Sequence, residues 1–362
     1  MQLLDSPQST LSTSVLDSLQ DIANNVQIKP DFCISHPAYK SLEIPKEMLT
    51  RFQRTPLELQ NKYLRLQLQS FIYGIYYNAS LQSDLAKDTD STDVTLHQNL
   101  ENNTFLGVDV EFYNRLHESN TGEGYFDPGW TVLRQESDGS LAVTKEGLTL
   151  HIERDRHLQP TERSASIGSI VAIHMPRNLV QNGFYMAVGD AGVDTYPQTV
   201  RVYFNLIPEG AVAVMESLTR QLNQIKIPFT FKVLYNPSDY GRYDSGVLYF
   251  EKNNYQAIWQ FLRNIYAENH SCFRTEIPLF TKFLAPGIAL AEEPDFKFAE
   301  SESFGMNRCQ IVANALLEAR QNGDESPQSR MALIYQHFFF IGINWQHSYL
   351  NANSKDIYTP LG

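Results

Sequence analysis

Alternation of apolar and polar positions is sharpest at Thr199-Val-Arg-Val-Tyr-Phe-Asn-Leu206. In an extended strand successive side chains point to opposite faces, so Arg201, Tyr203 and Asn205 share one side while Val202, Phe204 and Leu206 share the other. Thr230-Phe-Lys-Val-Leu-Tyr235 carries the same rhythm, with Lys232 opposite Phe231 and Val233. Shorter strand-like runs are predicted at 130–135, 140–144, 148–153, 167–174, 184–188 and 246–251. Asp138-Gly139 and Glu146-Gly147 separate the first three, and Asp-Gly between extended runs is a strong hairpin signal.

Helical spacing governs the rest. A short helix is predicted near 15–23, and a longer one after Thr55-Pro56, with Leu57, Leu64, Leu68, Phe71 and Ile72 at helix-like intervals to Tyr77. Another runs from Phe105 to Leu116. Pro208-Glu209 opens one whose Ala211, Met215, Leu218 and Leu222 form a stripe able to cover the apolar side of a sheet. Further helices fall at 254–269, 307–321 and 326–345, so the last hundred residues are expected to be mainly helical. The fold class this predicts is α+β, a mostly antiparallel sheet backed by helices. The polar, acidic stretch 83–104 reads as a linker, dividing a helical N-terminal extension (1–104) from an α+β domain (105–362). No internal repeat is evident.

Composition narrows the classes. The chain has 362 residues, 42% of them hydrophobic and 12% aromatic, which is a folded globular composition. A formal net charge of -12 argues against nonspecific nucleic-acid binding, which needs a basic face. Cys33, Cys272 and Cys309 match no zinc or redox spacing, and an odd number argues against a disulfide framework. No signal-like N-terminus and no long apolar run is present, so a cytoplasmic protein that does not engage membranes is expected.

The polar side of the two strands carries the chemistry. Cations there are costly to place together unless an anion sits between them. Arg242 lies in the loop Asp239-Tyr-Gly-Arg-Tyr-Asp-Ser245, where it can also pair with Asp239 or Asp244. Arg308 lies in Ser303-Phe-Gly-Met-Asn-Arg-Cys309 at the start of a predicted helix, where a cation is unfavourable unless an anion is near. Arginine's planar fork suits phosphate, and a lysine among arginines gives up its proton more readily, as a general base must. The plain alternative for Lys232 is a solvated lysine on an outer sheet face. His151 and His174 fall in predicted strands and read as structural, though either can supply an acid. His117, His337 and His347 show no metal-ligand spacing. Gly122-Glu-Gly124 is not framed as a dinucleotide fingerprint, and no P-loop or nucleophile elbow is apparent.

Arg201-Val-Tyr-Phe-Asn205, Asn236-Pro-Ser-Asp-Tyr-Gly-Arg-Tyr-Asp-Ser-Gly246 and Ser303-Phe-Gly-Met-Asn-Arg-Cys309 resemble the HopA-type type III secretion effector family. Gly124-Tyr-Phe-Asp-Pro-Gly-Trp130 and Leu284-Ala-Pro-Gly-Ile-Ala-Leu-Ala-Glu-Glu-Pro294 extend the resemblance to about residues 105–350. Members of that family stand beside kinase-like proteins in lanthipeptide biosynthesis, which implies a phosphate-eliminating lyase acting on a phosphorylated peptide, with a kinase-like partner and no cofactor. A more distant likeness to phosphothreonine lyase effectors implies roles. Lys232 matches their base, Arg201 their basic strand residue, and Arg242 and Arg308 their later phosphate-binding arginines. Their histidine acid is replaced by Tyr203, which would have to protonate or orient the leaving group. That replacement equally suits a noncatalytic interaction protein using the same basic face to bind a phosphorylated or acidic partner.

Overall fold

A computed structural model describes residues 7–87, 108–193 and 198–362. Most of the linker expected over 83–104, the proposed division at 104/105 and the start of the helix expected from Phe105 lie outside the described residues.

The chain opens with α1 (Pro7–Asn25), a small three-stranded sheet of β1 (Gln27–Ile28), β2 (Ile34–His36) and β3 (Tyr39–Leu42), then α2 (Lys46–Phe52) and α3 (Leu57–Ile72). A π-helical turn, Tyr73–Tyr77, continues α3 directly. After α4 (Val110–Ser119), capped by Asp109 accepting from the Phe112 amide, come β4 (Tyr125–Gln135), β5 (Leu141–Lys145), β6 (Leu148–Ile152), the short α5 (Arg154–His157) and β7 (Ile170–Met175). These strands form an antiparallel sheet in the order β6-β5-β4-β7 around its own core of Trp130, Val132, Leu141, Val143 and Val171. The β5–β6 turn is the predicted two-residue one: Glu146 and Gly147 both have positive φ, 50° and 82°, as a type I′ turn requires.

The principal sheet follows: β8 (Asn178–Gln181), β9 (Phe184–Val188), β10 (Thr199–Phe204), α6 (Pro208–Gln224), β11 (Thr230–Leu234), β12 (Gly246–Glu251), α7 (Tyr255–Asn269), β13 (Lys282–Ala285), β14 (Ile288–Glu292), α8 (Phe304–Gln321) and α9 (Pro327–Phe340). Its seven strands run β13-β14-β10-β12-β11-β9-β8, every neighbour antiparallel. The α+β class and the antiparallel sheet are as the sequence predicts.

Two departures matter. The hairpin β13–β14 interrupts the stretch expected to be helical, and β14 pairs directly with β10. All five residues of β14 are buried, so it lacks the alternation by which a half-exposed strand is recognised. Lys232 also lies two strands from Arg201, because β12 returns from the 236–245 loop and inserts between β10 and β11.

The stripe predicted on α6, Ala211, Met215, Leu218 and Leu222, is fully buried in one core with Val202, Phe204, Phe231 and Val233 of the sheet's apolar side. The same continuous core takes in Leu19, Ile22, Leu64, Leu68 and Phe71 from the first helices, where α3 packs along α8. The N-terminal helices therefore share their apolar surface with the rest of the molecule.

Candidate functional site

The other side of the sheet carries the polar rhythm seen in the sequence. Antiparallel partners share a face, and the register aligns Tyr203, Val247, Lys232 and Met186 in one row across four strands. Arg201, Tyr249 and Thr230 form the next. These rows floor a cleft of about 550 Å³ walled by Phe184, Tyr73, Tyr77, Arg242 and the 293–303 segment. Arg201, Tyr203, Lys232 and Arg242, four residues singled out from sequence, line this one cavity.

Lys232 is half-buried, and its ammonium lies 4.5 Å from the centre of the Phe184 ring and 5.5 Å from that of Tyr249. Aromatic faces attract a cation without neutralising it. Among the described residues no carboxylate forms a salt bridge with it. Arg201 lies over the same Tyr249 ring at 5.0 Å and, among the described residues, commits only its Nε–H, to Glu293. Glu293 also accepts from Lys297 at 2.6 Å. Burial would raise the Glu293 carboxyl, but Arg201 and Lys297 override it and hold it low. Arg242 takes Asp244 rather than Asp239, in a two-pronged pair at 2.6 and 2.9 Å. Burial would raise Asp244 too; the guanidinium prevails and keeps it ionised below the ordinary carboxylate range. Asp244 also accepts from Asn78 Nδ2 at 3.2 Å and the Tyr73 hydroxyl at 3.4 Å.

Tyr203 is buried, and among the described residues its hydroxyl makes no hydrogen bond of good geometry, the Tyr77 phenol standing close enough to interact with it. Burial pushes the Tyr203 phenol up, so it stays an O–H donor at neutral pH. Asn205 has left the strand, and its side chain donates to the Glu276 carbonyl at 3.0 Å.

Arg308 lies elsewhere. The helix starts at Phe304 with Ser303 as its cap, so Arg308 sits one turn inside and not at the dipole's positive end. It is 1% exposed, donating to the carbonyls of Ser348 (2.8 Å) and Leu350 (3.1 Å) and to Asn307 Oδ1 (2.6 Å). Burial brings its pKa down to about 10. Its guanidinium stacks 4.9 Å over Phe304, whose ring in turn contacts Tyr203, so it stands behind the cleft wall. His151 and His174 belong to the small sheet, beside Glu136 and Phe126 respectively, and neither lines the cleft.

Several lining residues escape sequence reasoning. Tyr249 has the same parity on β12 as Arg201 on β10, but only knowledge that β12 is the neighbour places it there. Tyr73 and Tyr77 stack at 5.0 Å through the π turn, for which the sequence gives no signal; such turns recur at functional sites. Among the described residues no group of three or more His, Cys, Asp or Glu is arranged to hold a metal ion, and no helix is long and apolar enough to cross a membrane.

Comparison with known proteins gives one family. Residues 175–350, which carry the principal sheet, α8 and the cleft floor, match the HopA1 effector protein family. The Gly124–Trp130 motif, taken from sequence as part of the resemblance, lies before that match. Two solved structures are similar over most of the chain. One is an effector protein from Pseudomonas syringae pv. tomato strain DC3000, with 14% identity, TM-score 0.46, and coverage of 95% of this chain and 100% of the other. The other is an effector protein from Pseudomonas syringae pv. syringae strain 61, with 13% identity, TM-score 0.44, and coverage of 94% and 99%. No curated protein matches. The resemblance read from the motifs therefore stands, in that residues 175–350 match the HopA1 effector protein family.

Proposed function

We propose that the protein is a carbon–oxygen lyase that eliminates phosphate from phosphoserine or phosphothreonine within a peptide, as in lanthipeptide-type modification downstream of a kinase-like partner. The observation that carries this reading is the pairing state of the cleft. Among the described residues Lys232 is in no salt bridge; it rests on two aromatic faces, with Asp244 acting on it from across the cleft, and its guanidinium neighbours still have N–H donors to offer. Arginine has five such donors; Arg201 commits one to Glu293, and Arg242 commits its Nε and Nη2 to Asp244.

The dianion would bind against the remaining donors of Arg201 and Arg242. The Lys232 amine would take the Cα proton; the electron pair left behind forms the Cα=Cβ bond as the Cβ–O bond breaks. Phosphate departs with charge building on its oxygens, where the guanidinium groups stabilise it. Tyr203, kept protonated by burial, would hydrogen-bond or protonate the departing oxygen. Phosphoserine gives dehydroalanine and phosphothreonine dehydrobutyrine, and the step calls on side chains alone. Arg308 would contribute from behind, by fixing the wall on which Tyr203 rests.

A second reading has its own support. Arg201 and Arg242 already hold carboxylates, and a tyrosine stands where a histidine acid is expected, which suits a noncatalytic module that binds a phosphorylated or acidic partner. Mass spectrometry of a phosphothreonine peptide separates the two. A peptide lighter by phosphoric acid with wild type, and a loss of at least about 100-fold in rate with Lys232→Ala, is the expected result. Unchanged phosphate release by Lys232→Ala ends the lyase reading, and tight binding with no mass change establishes the second.

A further inference from the structure

The lip of the cleft is unlike its floor. The segment 293–303 contributes Lys297, Ser301 and Ser303 to the lining, and on either side of Lys297 in the chain it exposes two phenyl rings, Phe296 (49%) and Phe298 (40%). The rings meet edge to face at 5.1 Å. Asp295 and Glu300 flank them, both exposed, and neither carboxylate is held in an ion pair among the described residues. The lysine between the rings, Lys297, is paired with Glu293. The segment is not loose. Asn351 Nδ2 binds the Glu293 carbonyl at 2.7 Å, and the Phe298 amide donates to buried Glu302 at 2.9 Å. Two aromatic faces are thus presented to solvent by a fastened backbone, between two exposed acids, of which Asp295 accepts from the Phe296 amide at 2.8 Å through one carboxylate oxygen.

A phenyl pair alone would accept any apolar side chain. Carboxylates on both sides change the preference. Lysine and arginine bring an apolar stem to lie along the rings and a cation that both the ring faces and the acids attract. We propose, resting on the lyase reading of the cleft, that the lip selects the substrate: a phosphopeptide with a lysine or arginine close in sequence to its phosphorylated residue. Such a peptide is dipolar in the same sense as the site, its dianion over the basic floor and its cation on the acidic, aromatic lip.

The test uses wild-type protein and two fluorescein-labelled peptides whose phosphothreonine is replaced by its phosphonate, a methylene standing for the bridging oxygen so that no elimination occurs. One peptide has arginines two and three residues from the phosphonate, the other alanines. Anisotropy titration should show the arginine peptide binding about 3- to 10-fold more tightly at low salt, a preference shrinking as ionic strength rises. Phe296→Ser/Phe298→Ser and Asp295→Asn/Glu300→Gln should each cut that ratio while leaving the alanine peptide's Kd unchanged. Equal binding of both peptides by wild type, or equal weakening of both by the variants, overturns the proposal. The lyase reading fails separately, when authentic phosphopeptides bind with this preference yet never lose phosphoric acid.

Discussion

At the scale of single residues, the cleft is a set of buried charges with sharply different obligations. Asp244 and Arg242 need each other. With its partner removed, a buried ion costs about 3–5 kcal/mol, so Asp244→Ala should lower stability by that order, read from urea midpoints. The folded-state carboxyls of Asp244 and Glu293 lie below their ordinary values, so both bind protons less readily folded than unfolded. Their contribution is full above the unfolded values of about 4 and is lost as pH falls through the lower folded ones. Acid titration followed by circular dichroism should show stability declining only below about pH 4–5. Tyr203 behaves oppositely. Among the described residues its hydroxyl makes no hydrogen bond of good geometry, so Tyr203→Phe should leave the melting temperature unchanged or slightly raised while turnover falls about 10- to 100-fold. Equal losses of both would deny the hydroxyl its role. Arg201, Tyr203 and Lys232 were legible because strand parity is written in alternation, and parity decides which face a residue joins; Arg242, in the loop before β12, was found by its motif and not by parity. Arg308 was misplaced because its nearest helix start is set by the Ser303 cap, and a shift of four residues turns a helix terminus into a helix interior.

At the scale of elements, two close approaches hold the cleft in shape. The first turn of α8 meets the π turn at Gly305, where an added Cβ would run into the Tyr77 ring. Gly305→Ala should therefore destabilise by about 1–3 kcal/mol and weaken phosphonate-peptide binding, because Tyr77 must move to make room. Thermal melts and anisotropy check both. The second approach is at Arg308, which carries the carbonyls of Ser348 and Leu350. Arg308→Met should cost about 2–5 kcal/mol through those unpartnered acceptors, yet spare peptide affinity at temperatures where the variant stays folded. A proportionate loss of affinity would put this guanidinium back at the phosphate. Helices were read from sequence more faithfully than strands, since stripes such as that of α6 are local. The π turn and β14 left no such trace: one is a change of winding inside an ordinary helical composition, the other an apolar run buried on both sides.

For the molecule as a whole, residues 7–87 and the HopA1 segment bury one another, so the early helices are not an appendage in energetic terms. Removing 1–87 would strip Tyr73, Tyr77 and Asn78 from the cleft and bare the α8 surface that α3 covers. The shortened chain is expected to be insoluble or molten on expression, judged by solubility and near-ultraviolet circular dichroism. A well-folded product would mean that the two parts stand alone. Sequence could suggest a boundary from polarity, but whether the flanking apolar stripes face each other is a question of long-range packing.

The four strands of 125–175 are the exception, gathered round Trp130 and sharing none of the main core. Such a unit can open by itself. Native-state hydrogen exchange should find its amides relaxing together, at a lower free energy than those of β10 to β12. A segment that melts privately can also drift privately: substitutions, or a transplanted sheet from a relative, can accumulate there while Lys232 and its surroundings stay untouched.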